Sequence, residues 1–548
     1  EIASCLVGSE MCIRDRIDIL FQKLGIDVVF GVPGYQIMPI WQNISKAKII
    51  LCSHEQEASY AAVGYAKKSR KPVAVLTIGS PGVTNCISGI AYSNIDSIPL
   101  IYISGRTSIK KTDCGMLQEE SIVNRRFDST SILNHITKKS VCISNPLTAA
   151  EQIISTMEMA VQHRYGAVHI SIPIDIQNAD IPVNNKRLHS PIMLSSYLEE
   201  MIPITKRPII VIGWGAWMAD AYNEIYRLAE IINAPVLVTS KAYCCIESQN
   251  PFYLGKLGYG HNFEIDSFVE SYSPDSIISF GATLSDKDIS NTILQKYLSE
   301  IPIYVVTDEP VKYHRNEIHY ITMDMKTYLN KLLSMTKKHI NNSQLKAKIH
   351  ISRNKYRLYW REKIESSDVL AQAIWIISNT DSIITADAGN HLLNAAVLLE
   401  PKKCGYFFLD TGLRAMGTGI CSAVGMALAD RSNHYIAITG DGCMLMNGNV
   451  MHIAFVNKLP ITFVVFNNHA LGRVRIGQTI MNDYRGSDIN NVDFMLYGKA
   501  LGMQSYCFSS LIEFESQLHK IIHSNRPSLI EIITPSDEVP IKIKGSVY

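Results

Sequence analysis

Apolar runs of strand length recur along the whole chain, each followed by a window of helical periodicity, and this alternation limits the possible folds most severely. The runs are Pro72–Ile78, Pro99–Ser104, Ala167–Ile172, Pro208–Ile212, Pro235–Thr239, Ser276–Phe280, Ile303–Thr307, Ser382–Ala386, Tyr435–Thr439, Ile461–Phe466 and Ser528–Ile533. Most are continuously apolar rather than alternating, the pattern of parallel strands covered on both faces. Between them, Glu55–Lys68 places Ala58, Ala61, Ala62 and Tyr65 on one helical face. Strand–helix–strand repetition predicts an α/β fold of doubly wound parallel sheets. A length of 548 residues exceeds what one core serves, so about three domains are expected.

Two shifts of composition mark linkers. Asn184–Ser195 is polar and punctuated by prolines, and Lys337–Ser367 is rich in Lys, Arg, Asn and Ser. The basic first half of the second stretch reads as a solvated helix face rather than a nucleic-acid site. The cuts leave segments 17–185, 195–335 and 368–540, each long enough for its own sheet. Residues 1–16 lack a starting Met, a signal-peptide core and any clear period, so they read as a non-native leader, with regular pattern from Ile17. Lys and Arg total 52 against 50 Asp and Glu, and a net charge of +2 provides no field for nucleic acid or an anionic membrane. No apolar stretch reaches the length of a membrane span. The 12 cysteines contain no C-x-x-C pair, which fits free thiols in a reducing cytoplasm.

One constellation carries chemistry. The run Tyr435–Thr439 ends in Gly440-Asp441-Gly442, and after 24 intervening residues Asn467-Asn468 closes the run Ile461–Phe466. Glycines let backbone N–H groups approach a phosphate closely. Asp441 offers an anionic oxygen and Asn468 a neutral amide oxygen, both from strand ends able to converge. A hard octahedral cation takes such ligands, and a diphosphate completes its shell. Two unrelated turns are the alternative, because these residue types also form turns. The strand–GDG–spacer–NN arrangement favours a metal–diphosphate site.

This arrangement resembles the signature of thiamine diphosphate enzymes, and further motifs extend the resemblance from about residue 17 to the C-terminus. The resemblance implies three domains, pyrimidine-binding, central and diphosphate-binding. It also implies that Asp441 and the Asn468 side chain hold Mg²⁺, with the Ala470 carbonyl as third ligand. Ala386-Asp387-Ala388-Gly389-Asn390-His391 is similar to the family's other diphosphate turn, with Asn390 where Gln is usual. Gly389, Asn390, His391, Gly440, Gly442 and Cys443 are the implied cofactor contacts there. Gly412-Leu413-Arg414-Ala415-Met416-Gly417 resembles the segment whose large apolar residue, here Met416, wedges beneath the cofactor. Alone, such a Met is core filler.

Ser53-His54-Glu55-Gln56-Glu57-Ala58 is similar to the family's His-Glu-x-x-Ala helix start. Glu55 is then the residue that hydrogen-bonds the pyrimidine ring, and burial is expected to raise its pKa. Read alone, Glu55 only complements a helix dipole. Further matches belong to the acetolactate-synthase-like branch. Phe30–Gly34 supplies Pro33, and Thr77–Asn85 supplies Asn85, although Ser80 interrupts the usual Gly-Pro-Gly spacing. Gln118 matches a glutamine that reaches the reaction centre, and Tyr165–Gln177 resembles the strand closing the first domain.

The resemblance frays in the middle. Gly213-Trp214-Gly215 lacks a full dinucleotide fingerprint and reads as a structural turn. Relatives in this branch bind FAD there and carry Gly-Ala-Arg, where this chain has Gly281-Ala282-Thr283. An acceptor-binding Arg position is Lys287, which cannot make the same bidentate grip. An expected Trp maps to Gly477, and Val450 stands where many relatives have Glu. The leading expectation is a cytoplasmic carboligase or decarboxylase of 2-keto acids, at least a homodimer or a homotetramer, with Glu55 of one subunit facing Asp441, Asn468 and Met416 of another. The rivals are a simple decarboxylase, a non-catalytic cofactor-binding descendant and a nicotinamide oxidoreductase.

Overall fold

The computed structural model describes residues 10–121, 127–162, 164–182, 201–289, 292–309, 318–337, 343–365, 368–479 and 481–541. Packing divides the chain into two compact units. The first comprises 1–192 with 421–432 and 447–459, and the second comprises 193–420, 433–446 and 460–548.

The first unit holds a six-stranded parallel sheet in the spatial order Lys48–Leu51, Val28–Gly31, Val73–Thr77, Leu100–Arg106, Ala167–Pro173, Lys139–Cys142. Its interior strands are buried along their whole length, save Arg106 at the end of Leu100–Arg106, as continuous apolar runs require. On one face Ile13, Ile17 and Phe21 of helix Ile13–Leu24 join Ile153 and Met157 of helix Pro146–Val161 over Leu76, Ile101 and Ile103. That first helix therefore starts ahead of Ile17, and the strand before it, Glu10–Cys12, pairs antiparallel with Asp180–Pro182.

The second unit holds two further six-stranded parallel sheets. The central one runs Tyr253–Lys256, Val236–Val238, Pro208–Ile212, Ser276–Phe280, Ile303–Thr307, Ile318–Thr322. The other runs Phe407–Leu409, Ile383–Ala386, Tyr435–Gly440, Ile461–Asn467, Ser528–Ile533, Gln504–Phe508. All three sheets are parallel with interleaved helices, which makes the fold the doubly wound α/β class expected. Every apolar run named above forms a strand. Strands that the apolar pattern does not single out are mostly sheet edges: Lys139–Cys142, Tyr253–Lys256, Ile318–Thr322, Phe407–Leu409 and Gln504–Phe508. An edge strand has one neighbour, so it tolerates polar residues such as Gln504 and His319.

Much of the basic stretch is a packed element rather than a bare connection. Helix Ser343–Glu365 buries Leu345, Ile349, Tyr356, Trp360 and Ile364 on one stripe and leaves Lys348, Lys355 and Arg357 in solvent. Asn184–Ser195 lies outside the described residues. Among the described residues, no helix is long and apolar enough to cross a membrane.

In each sheet the chain extends first to one side of its opening strand and then crosses to the other. The switch points lie between Val28–Gly31 and Val73–Thr77, between Pro208–Ile212 and Ser276–Phe280, and between Ile383–Ala386 and Tyr435–Gly440. Crevices at the carboxyl ends of such strand pairs are where ligands of open α/β sheets bind.

Candidate metal and diphosphate site

The third switch point opens into a cavity of about 350 Å³. Register pairs Gly440 with Phe466, so Asp441 and Asn468 leave adjacent strand ends side by side. Asp441 is buried; its Oδ1 accepts from the Gly442 N–H at 2.7 Å and its Oδ2 from the Ala470 N–H at 3.2 Å. Burial pushes its pKa upward, the direction that a nearby cation opposes. The loop after Asn468 is pinned by Leu471 N–H to Ser487 O at 2.7 Å and by Ile489 N–H to His469 O at 2.8 Å.

The inward-facing atom of the Asn468 amide lies 3.3 Å from Asp441 Oδ2 and 2.8 Å from the Ala470 carbonyl oxygen. With nitrogen there, the amide donates to both. With oxygen there, three acceptors converge, an arrangement that is stable only around a cation. Neighbouring oxygens in an octahedral magnesium shell with bonds of about 2.1 Å lie about 3.0 Å apart, between the two distances seen. The donor set of one carboxylate, one amide and one carbonyl therefore suits magnesium. Among the described residues, no group of three or more His, Cys, Asp or Glu side chains could hold a metal.

Beside this triad, helix Asn390–Leu398 begins at the cavity wall. His391 stacks on Phe466 with ring centroids 6.4 Å apart, and burial lowers its pKa to about 4, so its ring is neutral. Its Nε2 is buried without a partner, as is Asn390 Oδ1, while Asn390 Nδ2 donates to Glu538 O at 3.2 Å. Buried polar atoms are rarely left unpaired, and both residues line the cavity. Cys443 is a buried thiol donating to Ala388 O at 3.1 Å. A Cβ on Gly442 would stand 2.9 Å from Met416 Cε and 2.8 Å from Leu471 Cδ2, so glycine is needed for Met416 to sit this close.

Ten residues singled out from sequence thus line one cavity: Gly389, Asn390, His391, Met416, Gly440, Asp441, Gly442, Cys443, Asn468 and Ala470. Sequence reasoning missed Asp387. Its Oδ1 accepts from the N–H groups of Ala388 and Gly417, each at 3.0 Å, and Oδ2 from Thr439 Oγ1 at 3.3 Å. This fully buried carboxyl, pushed up to about 6 by burial, clamps the Met416 segment to two strand ends. Arg414, Arg473, Leu471 and Glu538 also line the cavity and were not singled out.

In the first unit, Glu55 opens helix Glu55–Ser69 just after strand Lys48–Leu51 and is buried. Its Oε2 accepts from Asn85 Nδ2 at 2.9 Å, so the structure joins these two predicted residues. Glu57, two positions on, is buried with Oε2 unpartnered, and burial pushes it up to about 7. Pro33 follows strand Val28–Gly31, where the adjacent Gly34 packs on Ile78. The Gln118 side chain is exposed. The Gln118 backbone carbonyl accepts from Ser80 Oγ at 3.0 Å and Gln36 Nε2 at 3.4 Å, so the interrupting Ser80 ties this loop down.

The central switch point differs. Gly213 N–H donates to Phe280 O at 2.9 Å and Gly215 N–H to Gly281 O at 3.0 Å, and a Cβ on Gly213 would collide with the Gly281–Ala282 backbone. Of the departures noted above, Lys287 Nζ donates to Thr411 O at 2.8 Å. Gly477 lies on helix Gly472–Thr479, where no residue is buried, and Val450 is buried.

Three protein families match in succession. Residues 17–126 match "Thiamine pyrophosphate enzyme, N-terminal TPP binding domain", 197–332 the family's "central domain", and 387–532 its "C-terminal TPP binding domain". The chain is 26% identical over 556 residues to a "Probable acetolactate synthase large subunit" of Methanocaldococcus jannaschii, covering 95% of this chain and 92% of that one. It is 28% identical to the "Acetolactate synthase large subunit" of Cyanidium caldarium, covering 95% and 93%. Among solved structures, the Rhodococcus jostii RHA1 "thiamine diphosphate-dependent 4-hydroxybenzoylformate decarboxylase" matches with a TM-score of 0.78 at 18% identity. That likeness covers 96% of this chain and 99% of the other, and it shows a shared fold.

Proposed function

The chain belongs to the thiamine pyrophosphate enzyme family, in the branch that resembles acetolactate synthases, and on that premise we propose that it is a magnesium-dependent carboligase of 2-keto acids. The carrying observation is the convergence of Asp441, the Asn468 amide and the Ala470 carbonyl beside two orphaned polar atoms in one cavity. Those three groups hold the metal in this reading. Gly389, Asn390, His391, Gly440, Gly442 and Cys443 would hold the diphosphate, and Met416 would support the cofactor from beneath. Bound there, the cofactor supplies a carbon nucleophile and an electron sink for cleaving the bond between a keto carbon and its carboxylate.

The chain's own residues do the rest. Glu55 holds a proton at the pyrimidine ring, with Asn85 fixing its carboxyl, and Pro33 shapes the same edge. Gln118 turns to the reaction centre from a loop anchored by Ser80. Segments 17–185, 195–335 and 368–540 are the pyrimidine-binding, central and diphosphate-binding domains in this reading, and the three family matches fall inside them. A homodimer, or a homotetramer built from it, would bring Glu55 of one subunit to the metal site of another. Support comes from exposed apolar side chains near each half: Tyr35 (81%), Leu51 (64%) and Leu117 (84%) in one unit, Leu445 (46%) and Met446 (57%) in the other. A cytoplasmic location is part of the same proposal; every described cysteine is a free thiol. The closed central switch point supports a chain that works without FAD.

The test is incubation with Mg²⁺, thiamine diphosphate and a panel of 2-keto acids, reading CO₂ and products by mass spectrometry. Carboligation products are expected. CO₂ with free aldehyde alone would mark a simple decarboxylase, and no turnover with intact cofactor binding would mark a non-catalytic descendant. Glu55→Gln should slow CO₂ release by about 100-fold or more while retaining cofactor binding; an unchanged rate would remove Glu55 from proton handling.

A further inference from the structure

We propose that Arg414 is the residue that recognises a carboxylate retained in the product, a specificity determinant that rests on the 2-keto acid reading above. Arg414 lines the same cavity as Asp441, Asn468 and Met416, two residues before Met416 in the chain. Its backbone lies in the left-handed region at φ +56°, which arginine enters only when the surroundings hold it there. The side chain is half-buried and fixed: Nη1 donates to the Tyr259 hydroxyl at 2.8 Å, and the guanidinium carbon stands 4.9 Å from the Tyr259 ring centroid. Among the described residues no carboxylate pairs with it, so most of its five donors remain for a ligand.

Tyr259 is itself held firmly. Its N–H donates to Ser240 Oγ at 3.2 Å, and the next N–H, of Gly260, donates to the Tyr243 hydroxyl at 2.7 Å. Lys287, at the position where the acetolactate-synthase-like branch carries an acceptor-binding arginine, donates instead to Thr411 O, three residues before Arg414. It does not line the cavity, so it braces the loop and leaves anion recognition to Arg414. Arg473 also lines the cavity, from helix Gly472–Thr479, whose residues are all at least partly exposed.

The charge on a carboxylate departing as CO₂ disappears from that group during the reaction. A guanidinium gripping it would stabilise the reactant more than the transition state. Arg414 therefore suits a carboxylate that survives, whose geometry its planar fork matches. That group is either the carboxylate of an acceptor keto acid or the second acid of a dicarboxylic donor.

The experiment compares the full chain, loaded with Mg²⁺ and thiamine diphosphate, with its Arg414→Gln, Arg414→Lys and Tyr259→Phe variants. Calorimetry with glutarate, an unreactive dicarboxylate, gives a readout independent of turnover. Arg414→Gln should weaken glutarate by about tenfold or more, Arg414→Lys should restore it only in part, and Tyr259→Phe should weaken it less. Kinetics then separates the sources. A KM raised for 2-ketobutyrate as acceptor, relative to propanal, places the carboxylate on the acceptor. A KM raised for 2-oxoglutarate as donor, relative to pyruvate, places it on the donor. Failure of the wild type to bind glutarate, or equal binding in Arg414→Gln, overturns the assignment. If no keto acid turns over but glutarate binding still depends on Arg414, the functional reading fails and the anion site stands.

Discussion

The central sheet and the sheet carrying Asp441 have the same arrangement about their switch points and differ in what their loops do there. After Pro208–Ile212 and Ser276–Phe280, two glycine loops pack backbone on backbone and the Gly215 N–H is consumed by Gly281 O, whereas the bond from Gly213 N–H to Phe280 O only extends the ladder and recurs in the other sheet as Asp387 N–H to Ile438 O. After Ile383–Ala386 and Tyr435–Gly440, the loops part. Asp387 ties the Met416 segment to both strand ends through Gly417 and Thr439, and the loops leave His391 Nε2 and Asn390 Oδ1 without partners. Topology supplies a crevice in both sheets, and hydrogen-bond bookkeeping in the loops decides whether it takes a ligand. A loop that satisfies itself has nothing left to bind with.

The largest effect expected from this contrast is at Asp441. Asp441→Ala should weaken thiamine diphosphate in the presence of Mg²⁺ on the order of 100-fold or more, measured by titration. Retained affinity would break the contrast at its open end. Next, saturating Mg²⁺ and thiamine diphosphate at about 100 times Kd should stabilise the protein by about 2.7 kcal/mol, whereas FAD or NAD should leave the melting temperature unchanged. Stabilisation by either dinucleotide would show that the central loops can part.

Gly213→Ala forces a methyl into backbone and should cost about 2 kcal/mol in denaturant unfolding while sparing cofactor affinity. Gly442→Ala should do the reverse, with little loss of stability and weaker cofactor binding, because the flexible end of Met416 yields.

The smallest effect is a pH dependence. His391 is neutral in the fold, with its pKa lowered to about 4 from 6.5. Between those values the unfolded chain binds more protons, so stability falls as pH drops. Going from pH 7 to 5.5 should cost about 1 kcal/mol through this group, and His391→Asn should remove that loss. An identical slope in both proteins would mean that the ring is not held neutral.

Much of this was legible from the chain. The apolar runs named every strand they covered because interior parallel strands are buried on both faces. Asp441 and Asn468 could be placed together because each stands two residues past the end of such a run. The edge strands Lys139–Cys142, Ile318–Thr322 and Gln504–Phe508 escaped because their part-exposed residues carry no such pattern, whereas Tyr253–Lys256, Phe407–Leu409 and Val28–Gly31 are buried but only three or four residues long. Asp387 escaped for another reason: its partner Gly417 lies 30 residues away, and nothing local distinguishes a clamp from a turn former. Arg414 was hidden in the same way, since its meaning comes from Tyr259, which is 155 residues upstream. The closing of the central loops against each other is likewise a long-range packing fact, read from the Gly213 and Gly281 backbones rather than from any motif.

The most direct test of the central claim is an electron paramagnetic resonance titration with Mn²⁺ in place of Mg²⁺, with and without thiamine diphosphate, on the wild type and Asp441→Ala. Tight Mn²⁺ binding that requires the cofactor, shows coupling to its phosphorus nuclei and disappears in Asp441→Ala is the predicted result. Mn²⁺ binding that is indifferent to the cofactor, or equal in the two proteins, would contradict a metal bridging Asp441 and a diphosphate.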